Sequence, residues 1–94
     1  MATLSVIILA KNEQQNIKAC IETVQFADEI LVIDDYSTDD TAEIAMSMGA
    51  KVAQHRMDGD WSQQRRYAVA KSTSEWILFL DADERISTEL RQEI

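Results

Sequence analysis

The stretch LSVIILA, residues Leu4–Ala10, decides the fold. It is an almost unbroken apolar run that is rich in β-branched side chains, and such a run is typical of a strand covered on both faces. Strands of this kind belong to parallel sheets that carry helices on their surfaces. The stretch therefore predicts a parallel sheet, and the strand ends where the polar residues Lys11–Glu13 begin.

Helix and strand patterns alternate along the rest of the chain. Apolar side chains at positions 17, 20, 21 and 24 have the spacing of one helix face. Ser37 or Thr38 can cap a second helix, with Asp39 and Asp40 in its first turn, where acidic groups complement the helix dipole. The predicted elements after the first strand are a helix over 14–25, a strand over 29–34, a helix over 38–48, a strand over 51–55, a helix over 61–72 and a strand over 76–80.

Four strands joined through helices by short links form right-handed βαβ units. We therefore expect an α/β protein, a Rossmann-like three-layer α/β/α fold with a four-stranded parallel sheet of order 3-2-1-4. Trp61 and Trp76 stand at the edges of predicted elements, and we predict that both belong to the core rather than to a sugar-binding platform.

Composition limits the classes of function. The chain has 94 residues, 46% hydrophobic and 28% charged side chains, two glycines and no proline, which predicts one folded domain over residues 1–94. A formal net charge of -8 disfavours nucleic acid or an anionic membrane as a partner, because phosphate binding rests on Lys and Arg. The single cysteine, Cys20, needs no oxidising compartment, and no apolar run approaches the length of a membrane span. We expect a cytoplasmic location, with peripheral attachment to the inner face of the membrane left open for a full-length form.

Acidic residues follow three of the predicted strands at the point where each strand ends. Glu13 comes after the first strand, Asp34–Asp35 close the second, and Asp81 and Asp83 follow the fourth. The carboxyl ends of parallel strands meet at one edge of the sheet, where ligands bind in open α/β folds. Since successive residues of an extended chain alternate sides, Asp81 and Asp83 should point one way and Ala82 the other. Hard oxygen ligands without histidine or paired cysteine suit Mg²⁺ or Mn²⁺ holding a phosphate.

Three segments carry a resemblance to a known family. VIILAKNE, VIDDYSTDDT and SEWILFLDADE, in this order, resemble the N-terminal half of the family 2 glycosyltransferases of GT-A fold. The last segment is most similar to the members that build bacterial lipopolysaccharide cores. The resemblance covers nearly the whole chain and implies transfer of a sugar from a nucleotide-sugar, by expectation a UDP-sugar, to a saccharide or lipid-linked acceptor. It also implies Mg²⁺ or Mn²⁺ as the cofactor.

The resemblance further implies roles for individual residues. Asp83 of the D-x-D segment would hold the metal ion on the diphosphate, and Asp81 would reach the ribose or the sugar. Asp35 would hydrogen-bond the uracil or the ribose. The implied nucleotide-binding residues are Ala10, Glu13, Asp35, Arg65 and Asp81.

In the resembled family, the catalytic domain continues past the D-x-D into an acceptor-binding half, which supplies the general base of inverting members. We expect this chain to hold the donor-nucleotide and metal site, to lack the catalytic base and to be inactive alone. The fourth predicted strand would then be an edge of the sheet. Because its WILFL run is apolar and uncharged, we predict self-association through Trp76–Leu80, by strand pairing or through an apolar patch.

Two other protein classes also place aspartates at strand ends. Receiver domains carry an Asp pair and a further Asp, but the pair follows their first strand and they need a later Lys, which this sequence lacks. Haloacid dehalogenase-type phosphatases have a strand ending in D-x-D, followed by Gly and Thr where this chain has Glu84 and Arg85. A non-catalytic nucleotide-binding fragment is the remaining alternative.

Overall fold

The computed structural model describes residues 2–87 and residue 92. Within these residues the elements are β1 Leu4–Ala10, α1 Ile17–Glu22, β2 Glu29–Asp34, α2 Thr41–Ser47, β3 Lys51–Gln54, α3 Trp61–Lys71 and β4 Trp76–Asp81. The described strands form a four-stranded sheet of order β3-β2-β1-β4, in which every pair is parallel. The predicted Rossmann-like fold and strand order are confirmed. No helix in the described part of the chain has the length and apolar character of a membrane span.

The interior strand β1 divides the core into two layers. Ile8 of β1 packs in one apolar cluster with Ile17 of α1 and Ala45 of α2. Its neighbour Ile7 faces the opposite way and packs in a second cluster with Ala68 of α3. Burying an aliphatic side chain of this size contributes roughly 1.5–3 kcal/mol. The alternating sides of β1 therefore attach helices to both faces of the sheet, which gives the predicted three layers.

The start of α2 differs from the prediction. The helix begins at Thr41 rather than at 38, so the expected cap by Ser37 or Thr38 is wrong. The Ser37 hydroxyl donates to the Asp34 carboxylate instead, and the Thr38 N–H donates to Asn12 Oδ1 at 2.7 Å. Ser37 thus bonds to the end of β2, three residues back, and Thr38 bonds to the loop after β1, and these hydrogen bonds displace the predicted cap.

The helix α1 is also shorter than the predicted 14–25. At its start, Gln14 turns toward the next loop, where its Oε1 accepts from Asp40 N at 3.1 Å. At its end, the Val24 N–H donates to Ile21 O, three residues back, so the last turn is tighter than an α-helix. The predicted apolar stripe is nonetheless fully buried, at Ile17, Cys20, Ile21 and Val24.

The prediction that both tryptophans lie in the core is wrong. Trp61 is 51% exposed and Trp76 is 64% exposed. Each is the first residue of its element, Trp61 of α3 and Trp76 of β4. Both indoles therefore lie at the rim of the packed layers, and their size does not by itself bring them into the core.

A nearly buried carboxylate, Glu29, joins several segments at the start of β2. It accepts hydrogen bonds from Ser5 Oγ at 2.6 Å, Lys51 Nζ at 2.9 Å and Thr73 N at 3.2 Å. The Ser5 hydrogen bond, followed by the Lys51 and Thr73 contacts, holds the pKa of Glu29 below its ordinary value against the opposing effect of burial. The ionised carboxylate thus ties β1, β2, β3 and the segment before β4 together.

We expect acidification to weaken the fold through Glu29. Because the pKa of Glu29 is lower in the folded than in the unfolded chain, its stabilisation is complete above the ordinary value near 4.5 and is lost as pH falls through the folded-state pKa. Glu29→Gln should cost roughly 1–3 kcal/mol at neutral pH, since the charge-assisted bonds are lost. It should also flatten the fall in the free energy of unfolding on acidification.

Urea unfolding at neutral pH and below the ordinary glutamate pKa measures both effects. Glu22→Gln, an exposed carboxylate at the end of α1, is the matched control and should behave like the unchanged chain. If Glu29→Gln lost as much stability on acidification as the unchanged chain does, Glu29 would not be the group responsible.

Candidate nucleotide and metal site

Three strand ends line one cavity of about 380 Å³ at the carboxyl edge of the sheet. Ala10 ends β1, Asp81 ends β4, and the loops after β1, β2 and β4 bring Glu13, Asp35 and Asp83 to the same space. Five of the six residues singled out in the sequence are therefore brought together as predicted. This convergence follows from the register, in which Ala10 pairs with Asp34 and Leu9 with Asp81.

The sixth residue, Arg65, is not among the described residues that line this cavity. It lies on α3, where its guanidinium carbon is 5.6 Å from the centre of the Phe79 ring on β4. The positive charge of Arg65 favours the ionised form of Asp81 and so opposes the rise in the pKa of that carboxyl. Arg65 is therefore a neighbour of the site rather than part of its wall.

Other lining residues were missed in the sequence. Trp61 and Gln64 reach the cavity from the first turn of α3, and Lys11 and Met57 reach it from loops. The first turn is fixed by Asp60, whose side chain accepts from Gln63 N. The sequence did contain a signal for Trp61 and Gln64. Asp60 is a typical helix cap, and residues three positions apart in the helix that follows share one face.

Burial alternates along the D-A-D turn after β4, although Ala82 borders the cavity together with the two aspartates. Asp81 and Asp83 are exposed and line the cavity, whereas Ala82 is 1% exposed and packs in the core. The small Ala82 side chain anchors the turn to the core cluster that includes α1. Both carboxylates are thus presented at the same opening.

The two residues of the second acidic pair, Asp34 and Asp35, have different surroundings. Asp34 is fully buried and accepts from the Ser37 N–H and hydroxyl, so it shapes the loop. Asp35 lines the cavity, where Met57 N donates to its Oδ1 at 3.3 Å and Lys11 Nζ lies 4.0 Å from its Oδ2. Contacts from two loops therefore orient the Asp35 carboxylate, which remains an acceptor at the cavity wall.

Negative charge accumulates at the β4 end of the cavity. Desolvation by burial, then the charges of Glu84 and Asp83 and, more weakly, of Glu13, raise the pKa of Asp81. Arg65 opposes this rise. A bound cation would relieve the repulsion among these carboxylates, whereas a bare diphosphate would add to it.

The donor set fits a cation that is shared with a ligand. Among residues 2–87 and residue 92, no three or more His, Cys, Asp or Glu side chains are grouped so that they could enclose a metal ion by themselves. Mg²⁺ is usually held by one or two carboxylates together with water and substrate phosphates, so a full protein cage is not required. Asp83, with Asp81 beside it, would hold Mg²⁺ or Mn²⁺ in this way.

Comparisons with known proteins show the family of the chain. The family model described as glycosyl transferase family 2 matches residues 5–93, and the chain belongs to this family. An uncharacterized glycosyltransferase of Rickettsia typhi is 40% identical over 95 residues, which cover 100% of this chain and 32% of the relative. This chain spans about a third of the length of the first curated relatives it matches.

Two solved structures extend the comparison to the fold. TarS of S. aureus shares 27% identity with a TM-score of 0.83, over 97% of this chain and 30% of that chain. Glucosyl-3-phosphoglycerate synthase from Mycobacterium tuberculosis, solved in complex with Mn²⁺ and UDP-glucose, shares 27% identity with a TM-score of 0.73. That match covers 87% of this chain and 33% of the synthase. The chain thus has the Rossmann-like fold of the GT-A proteins that it matches.

Proposed function

We propose that the full-length protein transfers a sugar from a UDP-sugar to a saccharide or lipid-linked acceptor, and that this chain holds the donor nucleotide and its metal ion. The observation that carries the proposal is the convergence of Ala10, Glu13, Asp35, Asp81 and Asp83 on one cavity. Packing alone gives no reason to gather carboxylates at one opening. The synthase that was solved with Mn²⁺ and UDP-glucose supports the choice of donor and cation.

The nucleoside end of the donor lies, in this proposal, beside Asp35. A carboxylate held by Met57 N accepts hydrogen bonds from the uracil N3–H or from ribose hydroxyls. The small Ala10 side chain leaves room for the base, and Glu13 closes the neighbouring wall. The half-exposed Trp61 offers an aromatic face for the base or the sugar.

The diphosphate end lies at the D-A-D turn. A bound divalent cation supplies positive charge to the leaving diphosphate. Asp83 holds that ion, Asp81 reaches the ribose or sugar, and Arg65 adds positive charge near the phosphates. These residues bind and orient the donor, which lowers the entropic part of the barrier. In inverting members of the resembled family, the carboxylate that takes the acceptor proton lies past the D-x-D segment, so this chain alone should not transfer sugar.

The proposed acceptor and location follow from the resemblance of one segment. The resemblance of the SEWILFLDADE segment favours a saccharide of a bacterial lipopolysaccharide core. That acceptor would place the full-length protein in the cytoplasm, peripheral to the inner face of the membrane.

The first test of the proposal is cation-dependent UDP binding. The unchanged chain should bind UDP weakly in the presence of Mn²⁺ or Mg²⁺ and lose binding when chelator removes the ion, because the chain carries a net charge of -8. Asp83→Ala should abolish the calorimetric signal. Glu43→Ala removes one exposed negative charge from α2, away from the cavity, and should leave binding unchanged. Equal affinity with and without metal would contradict the metal role of Asp83.

The second test separates base recognition from metal binding. Asp35→Ala should weaken UDP binding by about 10- to 100-fold, since a hydrogen bond to a charged group contributes roughly 1.5–3 kcal/mol. ADP binding should weaken less, because adenine offers an acceptor where uracil offers its N3–H. Competition calorimetry in Mn²⁺ gives the UDP-to-ADP affinity ratio for the unchanged chain and the variant. An unchanged ratio would show that Asp35 does not read the base.

Self-association through β4 is part of the proposal for this chain. β4 pairs with β1 along one edge, and among the described residues no strand covers its other edge. Trp76 is 64% exposed and borders an apolar groove with Phe26, Ile77 and Leu78. An open apolar edge strand favours pairing with a second copy.

Trp76→Lys should shift the chain toward monomer, because a lysine on an edge strand opposes strand pairing. Sedimentation velocity over a concentration series measures the effect. Val69→Lys is the matched control, since Val69 is an exposed apolar residue on α3. An unchanged chain that sediments as a monomer at every concentration, with rapidly exchanging β4 amides, would exclude this association.

A further inference from the structure

The turn after β4 is closed by Glu84 with two hydrogen bonds. The Asp81 N–H donates to Glu84 Oε1 at 2.7 Å, and the Glu84 N–H donates to Asp81 O at 2.9 Å. The second is the ordinary backbone bond of a turn. The first depends on the Glu84 side chain, and it fixes the amide of the residue that ends β4 and begins the D-A-D segment.

The chain on both sides of Glu84 is anchored. Ala82 is 1% exposed and Ile86 is 8% exposed, and both belong to the core cluster that includes α1. The Arg85 guanidinium donates to Ala82 O at 3.1 Å and to Glu84 O at 2.8 Å. It also donates to Asn16 Oδ1 at 3.3 Å, in the loop after β1. With the backbone held at these points, the Glu84 side chain folds back over the turn.

Glu84 adds a negative charge near Asp81, which contributes to the raised pKa of that carboxyl. A neutral residue at this position would lower the electrostatic cost. A charge-assisted hydrogen bond to the Asp81 amide offsets that cost. Glu84 is not among the described residues that line the cavity. Its carboxylate accepts a hydrogen bond within the turn instead.

We propose that Glu84 is a positioning residue, which holds the D-A-D turn by its hydrogen bond to the Asp81 amide and so keeps Asp81 and Asp83 directed into the cavity. This inference rests on the proposed function, in which Asp83 holds the metal ion on the donor diphosphate. Residues that orient metal ligands typically change metal affinity by about 10- to 100-fold when they are removed.

Two substitutions of equal charge test the proposal. Glu84→Gln keeps an acceptor oxygen at the same reach, whereas Glu84→Ala removes it, and both remove the negative charge. In the presence of UDP, Mn²⁺ affinity measured by electron paramagnetic resonance should stay within about twofold for Glu84→Gln and fall at least about tenfold for Glu84→Ala. If both variants lose affinity equally, Glu84 acts through its charge or as a ligand. If neither loses affinity, Glu84 positions nothing, and the proposal fails in either case.

Amide exchange without metal or nucleotide gives an independent readout. The Asp81 amide should stay protected in Glu84→Gln and exchange faster in Glu84→Ala, with similar unfolding midpoints for both variants. A general loss of stability that accounts for the loss of Mn²⁺ affinity would overturn the positioning role. If the unchanged chain binds no Mn²⁺ with UDP, the proposed function itself fails and the inference fails with it. If metal binds but the Asp81 amide is equally protected in both variants, only the inference fails.

Discussion

The site depends on the burial of β1 between two parallel neighbours and two helical layers. Val6, Ile7 and Ile8 are fully buried, and β1 pairs along its length with β2 and β4. A slip of one residue would exchange the side chains that pack against the two helical layers, so the close packing of both faces fixes the register. The strand ends then meet at one edge, and the residues that follow them line one cavity.

Long-range hydrogen bonds give this edge its detailed shape. Asn12 N donates to Ser37 Oγ at 2.8 Å, and Glu13 N donates to Thr41 Oγ1 at 2.9 Å, so the loops after β1 and β2 form one wall. Asn12 adopts a positive φ of 55°, a conformation that Asn tolerates better than most residues. These hydrogen bonds hold the wall where it borders the cavity, and the carboxylates of the D-A-D turn bring negative charge to the same cavity.

The sequence predicted the strands better than the helices, for a physical reason. Burial selects the composition of a strand directly, and the predicted bounds of β1 and β2 agree with the structure. The start of α2 was misplaced because Ser37 and Thr38 bond to residues that are distant in sequence or on the preceding strand. Local capping rules contain no information about such partners. The carboxylates of the site were predicted because the ends of buried strands can be located in a sequence. Trp61 and Gln64 were not predicted, because their contact with the cavity depends on where α3 packs against the sheet.

The most direct test of the central claim, that three strand ends form one donor site, is the location of bound Mn²⁺. Paramagnetic broadening of amide signals in the presence of UDP should be strongest at 82–84 and should extend to 11–13 and Asp35. Trp76, at the opposite end of β4, should remain sharp, and omission of UDP should reduce the broadening at all of these sites. Broadening centred on Asp39 and Asp40, or spread evenly over the acidic surface, would contradict a shared site at the carboxyl edge of the sheet.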